Sequence, residues 1–113
     1  MAGGNMPRVF ISSPYSGDVG RNQELARRFL RLAIEQGFAP IAPHLLYPQV
    51  LDNDDPANYD LGMALGLRWL ETCDEMWVCG DTVSKGMGME MAYAQENGIR
   101  TRRFGSDFAE KTV

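Results

Sequence analysis

Residues 75–90, EMWVCGDTVSKGMGME, join an apolar run to a glycine-rich segment that ends in one acid, and they decide the predicted fold. Glu75–Cys79 is short and mostly apolar, which is the pattern of a buried strand. Residues 91–96 are typical of a helix, and the stop signal Asn97-Gly98 follows them. The predicted order is therefore strand, glycine-rich turn and helix, with Glu90 in the first helical turn.

A glycine-rich turn before a helix is suited to holding an anion. Glycine lets backbone N–H groups face a ligand, and the helix N-terminus adds a partial positive charge that favours phosphate. The same charge is expected to keep Glu90 ionised, as an attacking carboxylate requires, and C1′ of a sugar would be its electrophile. The alternative is an acid that only starts a helix. A capping box, however, places its acid three residues after a Ser or Thr, whereas Ser84 lies six residues before Glu90.

The rest of the chain alternates between strand and helix patterns. Further strands are predicted at residues 8–12, 38–42 and 99–102, and helices at residues 22–36 and 57–72. Pro40 cannot donate a hydrogen bond to a neighbouring strand and indicates an edge position. Residues 43–56 are predicted as a long loop of the kind that forms a lid or a binding segment. This alternation predicts an α/β fold with a single doubly wound, Rossmann- or flavodoxin-like parallel sheet of four to five strands and helices on both faces.

Length and composition indicate one small domain. The chain has 113 residues, of which 44% are hydrophobic, enough for one core; we place the domain at residues 8–113, after a flexible start at residues 1–7. A net charge of −4 and the lack of a basic run argue against binding to polymeric nucleic acid. No stretch is predicted to span a membrane and no signal peptide is recognisable, so we expect a cytoplasmic protein without a membrane partner. Cys73 and Cys79 are expected to be reduced and structural, and no metal or cofactor is predicted.

Residues that follow strands are the candidate site residues, because ligands of doubly wound sheets bind beyond the carboxyl ends of the strands. Tyr15 follows the first strand, where its phenol would orient Glu90, and Asp81 follows the third. The predicted ligand-binding residues lie in the loops after the first two strands and in the glycine-rich turn: Ser12, Ser13, Pro14, Ser16, Gly17, His44, Ser84, Gly86, Met87 and Gly88. The alternative is that these loops contain ordinary turn residues and that His44 only contacts solvent.

These motifs resemble the nucleoside 2-deoxyribosyltransferase-like superfamily over most of the chain. The resemblance is carried by FISSPYSG at residues 10–17, the helix with Asn22, CDEMWV at residues 73–78 and SKGMGMEMAYA at residues 84–94. Within the superfamily, the sequence is most similar to small domains of the DUF4406 type and to the 2′-deoxynucleoside 5′-phosphate N-hydrolases. Those hydrolases carry a serine six residues before the catalytic glutamate, as Ser84 stands before Glu90, whereas the transferases carry an aspartate. The resemblance therefore implies a small-molecule ligand with a 5′-phosphate.

The resemblance also implies an N-glycosidase mechanism. Glu90 would attack C1′ of a (deoxy)nucleoside 5′-monophosphate to form a glycosyl-enzyme ester, which water or another base resolves, with Tyr15 orienting Glu90. The hydrolases protonate the departing base with an aspartate on the preceding helix, and Gly66 stands at that position here. Asp60 and Asp81 are alternatives for this acid, although neither matches the motif.

Two other functions stay open. The absent acid favours a non-catalytic nucleotide-binding sensor or sequestering module. A cytokinin-activating phosphoribohydrolase fits less well, because the chain lacks the proline and the threonine of that family's Pro-Gly-Gly-x-Gly-Thr-x-x-Glu pattern.

The sequence further predicts self-association. A domain of this size is expected to leave one side of a bound nucleotide open, and the relatives close it by symmetric association. Apolar residues of the second helix and the long loop, namely Met63, Leu65, Trp69 and Tyr47, supply surface for a homodimer or a higher homo-oligomer.

Overall fold

A five-stranded sheet organises the computed structural model, which describes residues 5–112. Residues 1–4 of the predicted flexible start and the last residue of the predicted domain lie outside this range. The strands are β1 (Arg8–Ser12), β2 (Ala39–Ile41), β3 (Glu75–Cys79), β4 (Arg100–Phe104) and β5 (Glu110–Lys111). Their order in the sheet is β2-β1-β3-β4-β5. The first four strands pair in parallel and β5 pairs antiparallel with β4, so the predicted α/β sheet is confirmed and is parallel except at β5.

Helices lie on both faces of the sheet. They are α1 (Val19–Glu35), α2 (Pro43–Leu46), α3 (Pro56–Leu70) and α4 (Lys85–Glu96). α1 begins earlier than predicted because the Asp18 side chain caps it by accepting a hydrogen bond from the Arg21 N–H at 3.2 Å. Pro40 does lie in an edge strand, as predicted. The predicted loop at residues 43–56 instead starts with α2 and a 3-10 turn at Tyr47–Gln49, since Pro43 is preset for a first helical position.

α4 shows that the predicted glycine-rich turn at residues 84–90 is wrong. The helix starts at Lys85, and Ser84 caps it, with its Oγ accepting a hydrogen bond from the Met87 N–H at 3.2 Å. Met87 completes the cap in place of an acid, because its Sδ lies 3.4 Å from the Ser84 nitrogen. Glu90 therefore lies in the second turn of α4, not in the first.

Packing explains why a glycine is placed inside this helix. Gly86 lowers helix propensity by roughly 1 kcal/mol relative to alanine. A Cβ at this position, however, would lie 3.1 Å from Met63 Cε and 3.3 Å from Tyr59 Oη of α3. A larger residue at position 86 would therefore require these two side-chain tips to shift by a few tenths of an ångström.

Two apolar layers sandwich the sheet. α1 covers one face, where Phe29 packs with Trp77 and Phe104, and α3 and α4 cover the other, where Leu70 and Met87 pack with Phe10. Cys79 lies in the first layer and Cys73 in the second, and both are free and buried. Burial raises the pKa of Cys73 to about 11, which disfavours its reactive thiolate. None of the helices in residues 5–112 has the length and hydrophobicity that a membrane crossing requires.

Candidate functional site

A cavity of about 270 Å³ opens beyond the carboxyl ends of β1, β2 and β3. The loop after β1, the α2 segment, α3 and the first half of α4 form its walls. The structure brings together here many of the residues predicted from the sequence, namely Ser13, Tyr15, Ser16, His44, Ser84, Gly86, Met87 and Glu90. We call this space the Glu90 cavity.

Glu90 presents a buried carboxyl group to this cavity. Its Oε1 accepts a hydrogen bond of 2.6 Å from Ser12 Oγ. Burial raises the pKa of Glu90 to about 7, and the hydrogen bond from Ser12 acts in the opposite direction. The expectation that the helix N-terminus keeps Glu90 fully ionised is therefore not met at neutral pH, because burial opposes the charged form and the helix dipole acts mainly within the first turn.

A second buried glutamate provides a contrast. Glu75, on the opposite face of the sheet, accepts hydrogen bonds from Arg102 Nη1 at 3.0 Å and from Trp77 Nε1 at 2.7 Å. Its charge is thus balanced by a cation, as is usual for a buried carboxylate. Among residues 5–112, Glu90 makes no such ion pair, and its one side-chain partner is a hydroxyl group.

Tyr15 lines the Glu90 cavity but does not hydrogen-bond to Glu90 in the described part of the chain. The loop that carries it is held by Asn22, whose Nδ2 donates to the carbonyl oxygens of Tyr15 and Ser16 at 3.1 and 2.8 Å. The orienting role of Tyr15 stays a prediction.

His44 reaches the cavity from α2. Its Nε2 lies 2.7 Å from Ser13 Oγ, and burial lowers the pKa of His44 to about 4. The imidazole is therefore neutral at pH 7. Within residues 5–112, no group of three His, Cys, Asp or Glu side chains is arranged to hold a metal ion.

The N-terminus of α4 contributes hydrogen-bond donors to the cavity wall. The N–H groups of Ser84 and Met87 are engaged in the cap, whereas those of Lys85 and Gly86 have no acceptor among residues 5–112. Ser84 Oγ accepts from Met87, which leaves its own O–H free to donate. The Lys85 side chain adds a cation to the lining.

Several predicted residues do not line the Glu90 cavity. Asp60 is exposed on α3, and Asp81 lies in a separate groove that also contains Pro14. Asp81 accepts a hydrogen bond from the Ser106 N–H at 3.0 Å and another from the Ser106 hydroxyl, and these lower its pKa. Because neither carboxyl group lines the Glu90 cavity, neither can donate a proton to a group bound there.

Three other predicted positions also do not line the cavity, and Gly66, where the expected acid is missing, lies away from it as well. Ser12 is fully buried beneath the cavity, and Gly17 and Gly88 are not among the lining residues. Gly66 is buried in α3, where a Cβ would lie 3.7 Å from Pro43 Cβ, so this position packs against α2.

Other lining residues were not predicted from the sequence. They come from the segment after β2, from α3 and from the start of α4: Pro43, Tyr47, Pro48, Leu51, Asn53, Tyr59, Gly62, Met63 and Lys85. Five of them lie in residues 43–56, which the sequence predicted as a binding segment without naming these positions as binding residues. Tyr59 and Met63 are four residues apart on one face of α3, but that spacing alone also fits a core face.

The fold is that of 2-deoxyribosyltransferases. The chain matches the structure of the 2-deoxyribosyltransferase from the psychrotolerant bacterium Bacillus psychrosaccharolyticus with a TM-score of 0.65 and 15% identity, covering 87% of this chain and 72% of that one. The 2-deoxyribosyltransferase from Leishmania mexicana matches with a TM-score of 0.62 and 15% identity, covering 88% of this chain and 64% of that one. The chain thus spans less than two thirds of the Leishmania enzyme.

A family model gives the closer classification. The model of the family described as Domain of unknown function (DUF7768) matches residues 7–104, and the chain belongs to this family. The predicted DUF4406 type is corrected accordingly. No curated protein matches the chain significantly.

The two buried titratable groups predict opposing effects of pH on stability. Folded Glu90 keeps its proton up to about pH 7, whereas the unfolded chain loses it near 4.5, so this group's contribution falls as the pH rises between these values. Unfolded His44 is protonated below about 6.5 but folded His44 only below about 4, so its contribution rises with pH in that window. Between pH 4.5 and 6.5, where both windows overlap, the two contributions to the free energy of unfolding change in opposite directions and cancel.

Glu90→Gln is expected to leave the pH dependence of stability that comes from His44. Its free energy of unfolding should rise by about 1.4 kcal/mol per pH unit across the overlap, while that of His44→Gln should fall at a similar rate. Urea unfolding followed by tryptophan fluorescence measures both. Glu96→Gln, on the exposed side of α4, is the control and should keep the wild-type profile. A Glu90→Gln profile identical to that of the wild type would contradict the opposing titrations.

Proposed function

We propose that the protein is an N-glycosidase that cleaves the base–sugar bond of a (deoxy)nucleoside 5′-monophosphate, with deoxyribosyl transfer as a variant of the same reaction. The observation that carries this proposal is the buried Glu90 carboxyl group, which has no cationic partner among residues 5–112 and shares one cavity with the free donors of α4. A perturbed carboxyl group in a cleft marks a candidate reactive group. The fold shared with 2-deoxyribosyltransferases supports chemistry on nucleosides.

The phosphate is assigned to the start of α4. The N–H groups of Lys85 and Gly86, the Ser84 hydroxyl and the Lys85 ammonium group supply both hydrogen bonds and positive charge. The base is assigned to the apolar and aromatic walls, where Tyr59 and Met63 of α3 face the cavity. Between these two ends, the sugar would lie against Glu90.

The reaction would proceed through a covalent ester. A carboxylate oxygen of Glu90 forms a bond to C1′ while the C1′–N bond breaks, and the electron pair leaves with the base. Water then attacks C1′, releases the sugar phosphate and returns the carboxylate. Tyr15 is proposed to contact the reacting groups from the loop after β1.

The departing base must also receive a proton. Glu90 contributes the only carboxyl group among the lining residues in the described part of the chain, and the low pKa of His44 leaves it without a proton to give at pH 7. The base would therefore take its proton from solvent, at a cost commonly of ~10²–10⁴ in rate.

This missing acid supports a second candidate, a nucleotide-binding sensor or sequestering module. Incubation with a panel of nucleoside monophosphates, followed by chromatography for free base, separates the two functions. Release of base supports the glycosidase, whereas tight binding without release supports the sensor.

Glu90→Gln is expected to lower the rate of base release on the order of 10³-fold or more, because the nucleophile is lost. Nucleotide affinity should stay within about threefold of the wild type, since the donors of α4 are unchanged. In the wild type the rate should rise with pH through about 7, as the carboxylate forms. Glu96→Gln on the same helix is the control. Substantial activity in Glu90→Gln would exclude the glutamate nucleophile.

Lys85→Met is expected to weaken binding of a nucleoside monophosphate by about tenfold, because a charge-assisted contact is lost. It should leave the weaker binding of the corresponding nucleoside unchanged. Calorimetry with both ligands measures the difference, and Lys111→Met, outside the cavity, is the matched control. Equal affinities of the wild type for nucleotide and nucleoside would refute the phosphate assignment.

A homodimer stays part of the proposal. Met63 lines the cavity and Leu65 is half-buried, whereas Trp69 is exposed and its Nε1 donates to Tyr47 Oη at 2.7 Å. The apolar surface available to a second copy is therefore centred on Trp69. Light scattering coupled to size exclusion should give twice the 12.6 kDa of one chain. A monomer that turns over nucleotide would show that one chain completes the site.

A further inference from the structure

Ser12 makes a buried contact whose partner is the reactive group of the cavity. It is the last residue of β1 and is fully buried, opposite Val78 of β3. Its Oγ donates to Glu90 Oε1 at 2.6 Å. A buried hydroxyl without a partner is costly, so this hydrogen bond accounts for a polar side chain after the three buried apolar residues of the strand.

We propose that Ser12 is a positioning residue that holds Oε1 of Glu90 and leaves Oε2 directed to the cavity. The role in catalysis rests on the proposed function, whereas the hydrogen bond belongs to the free protein. Ser12 is fixed by a central strand of the sheet, and Glu90 by a helix whose start is capped by Ser84. With both ends on regular elements, one hydrogen bond is enough to restrict the carboxylate to one orientation.

The same contact favours the charged form of the carboxyl group. Donation from a hydroxyl stabilises a carboxylate, whereas burial opposes it. The titratable groups that face the cavity with Glu90 come from separate elements: Tyr15 from the loop after β1, His44 from α2, Tyr47 from the 3-10 turn, Tyr59 from α3 and Lys85 from α4. None of them hydrogen-bonds to Glu90 in residues 5–112. Ser12 is thus its direct partner.

Ser13 provides a matched control for this role. It is the neighbouring residue and is also buried, but its hydroxyl lies 2.7 Å from His44 Nε2 and not at Glu90. Removing either hydroxyl therefore makes the same chemical change, and only Ser12→Ala removes the contact with the carboxyl group.

The experiment is a titration of the free protein labelled with ¹³C at the glutamate carboxyl carbons, with the Glu90 signal assigned by its absence in Glu90→Gln. Ser12→Ala is expected to raise the pKa of Glu90 by about one unit, and Ser13→Ala to leave it close to the wild-type value. Ser12→Cys fills nearly the same space with a weaker donor and should give an intermediate shift. This second variant keeps the test decisive if Ser12→Ala fails to fold.

Kinetics give the second readout. For base release from a nucleoside monophosphate, the pH profile of Ser12→Ala should move by the same amount, and kcat should stay about tenfold lower at high pH with KM little changed, because orientation is lost. An unchanged Glu90 pKa in folded Ser12→Ala or Ser12→Cys would overturn the proposal. If the wild type releases no base from any nucleotide, the proposed function fails, but the titration still decides whether Ser12 controls Glu90.

Discussion

Parallel pairing between β1 and β3 is the constraint on which the site depends. It sets Ser12 opposite Val78, so the chain leaves both strands at the same end of the sheet. One exit leads to the loop with Ser13 and Tyr15, and the other leads to α4 with Glu90. β2 adds α2 and His44 at the same edge, because it also pairs in parallel with β1. Without this register, the Ser12 hydroxyl and the Glu90 carboxyl group would not meet.

Ionising Glu90 in the cavity lowers the stability of the folded protein. A rise in the pKa of Glu90 from 4.5 to about 7 corresponds to a cost on the order of 3 kcal/mol for the ionised group, a large fraction of the ~5–15 kcal/mol that stabilises a typical domain. Glu75 lies in a different environment, since Arg102 and Trp77 donate hydrogen bonds to its carboxylate. Among the described residues no such cation pairs with Glu90, and a buried carboxyl group with a raised pKa in a cleft is a candidate reactive group.

The segment around α4 shows where sequence patterns mislead. Two glycines and the lack of an acid at the third helical position indicate a turn, yet the helix starts directly after Ser84. Met87 replaces the acid of the cap through its sulfur, and Gly86 is placed where α3 approaches closely. Both features depend on contacts between segments that are distant in the chain, so no local propensity records them. The shift of Glu90 from the first to the second turn follows from the same cause, whereas the rise in its pKa follows from its burial.

The sequence by itself determined the elements whose signal is local. The apolar runs defined β1 and β3 with their observed bounds, Pro40 indicated the edge strand, and the alternation of strands and helices determined the α/β class. It also indicated that Tyr15, His44, Ser84 and Glu90 follow strands at one edge of the sheet. Only the tertiary structure decided which of these groups share a cavity, and it placed Asp60 and Asp81 outside that cavity. It also showed that Ser12, predicted to contact the ligand, donates its hydrogen bond to Glu90 instead. The physical reason is that burial and side-chain direction are set by packing between layers, and hydrogen-bond partners distant in the chain leave no periodic pattern in its residues.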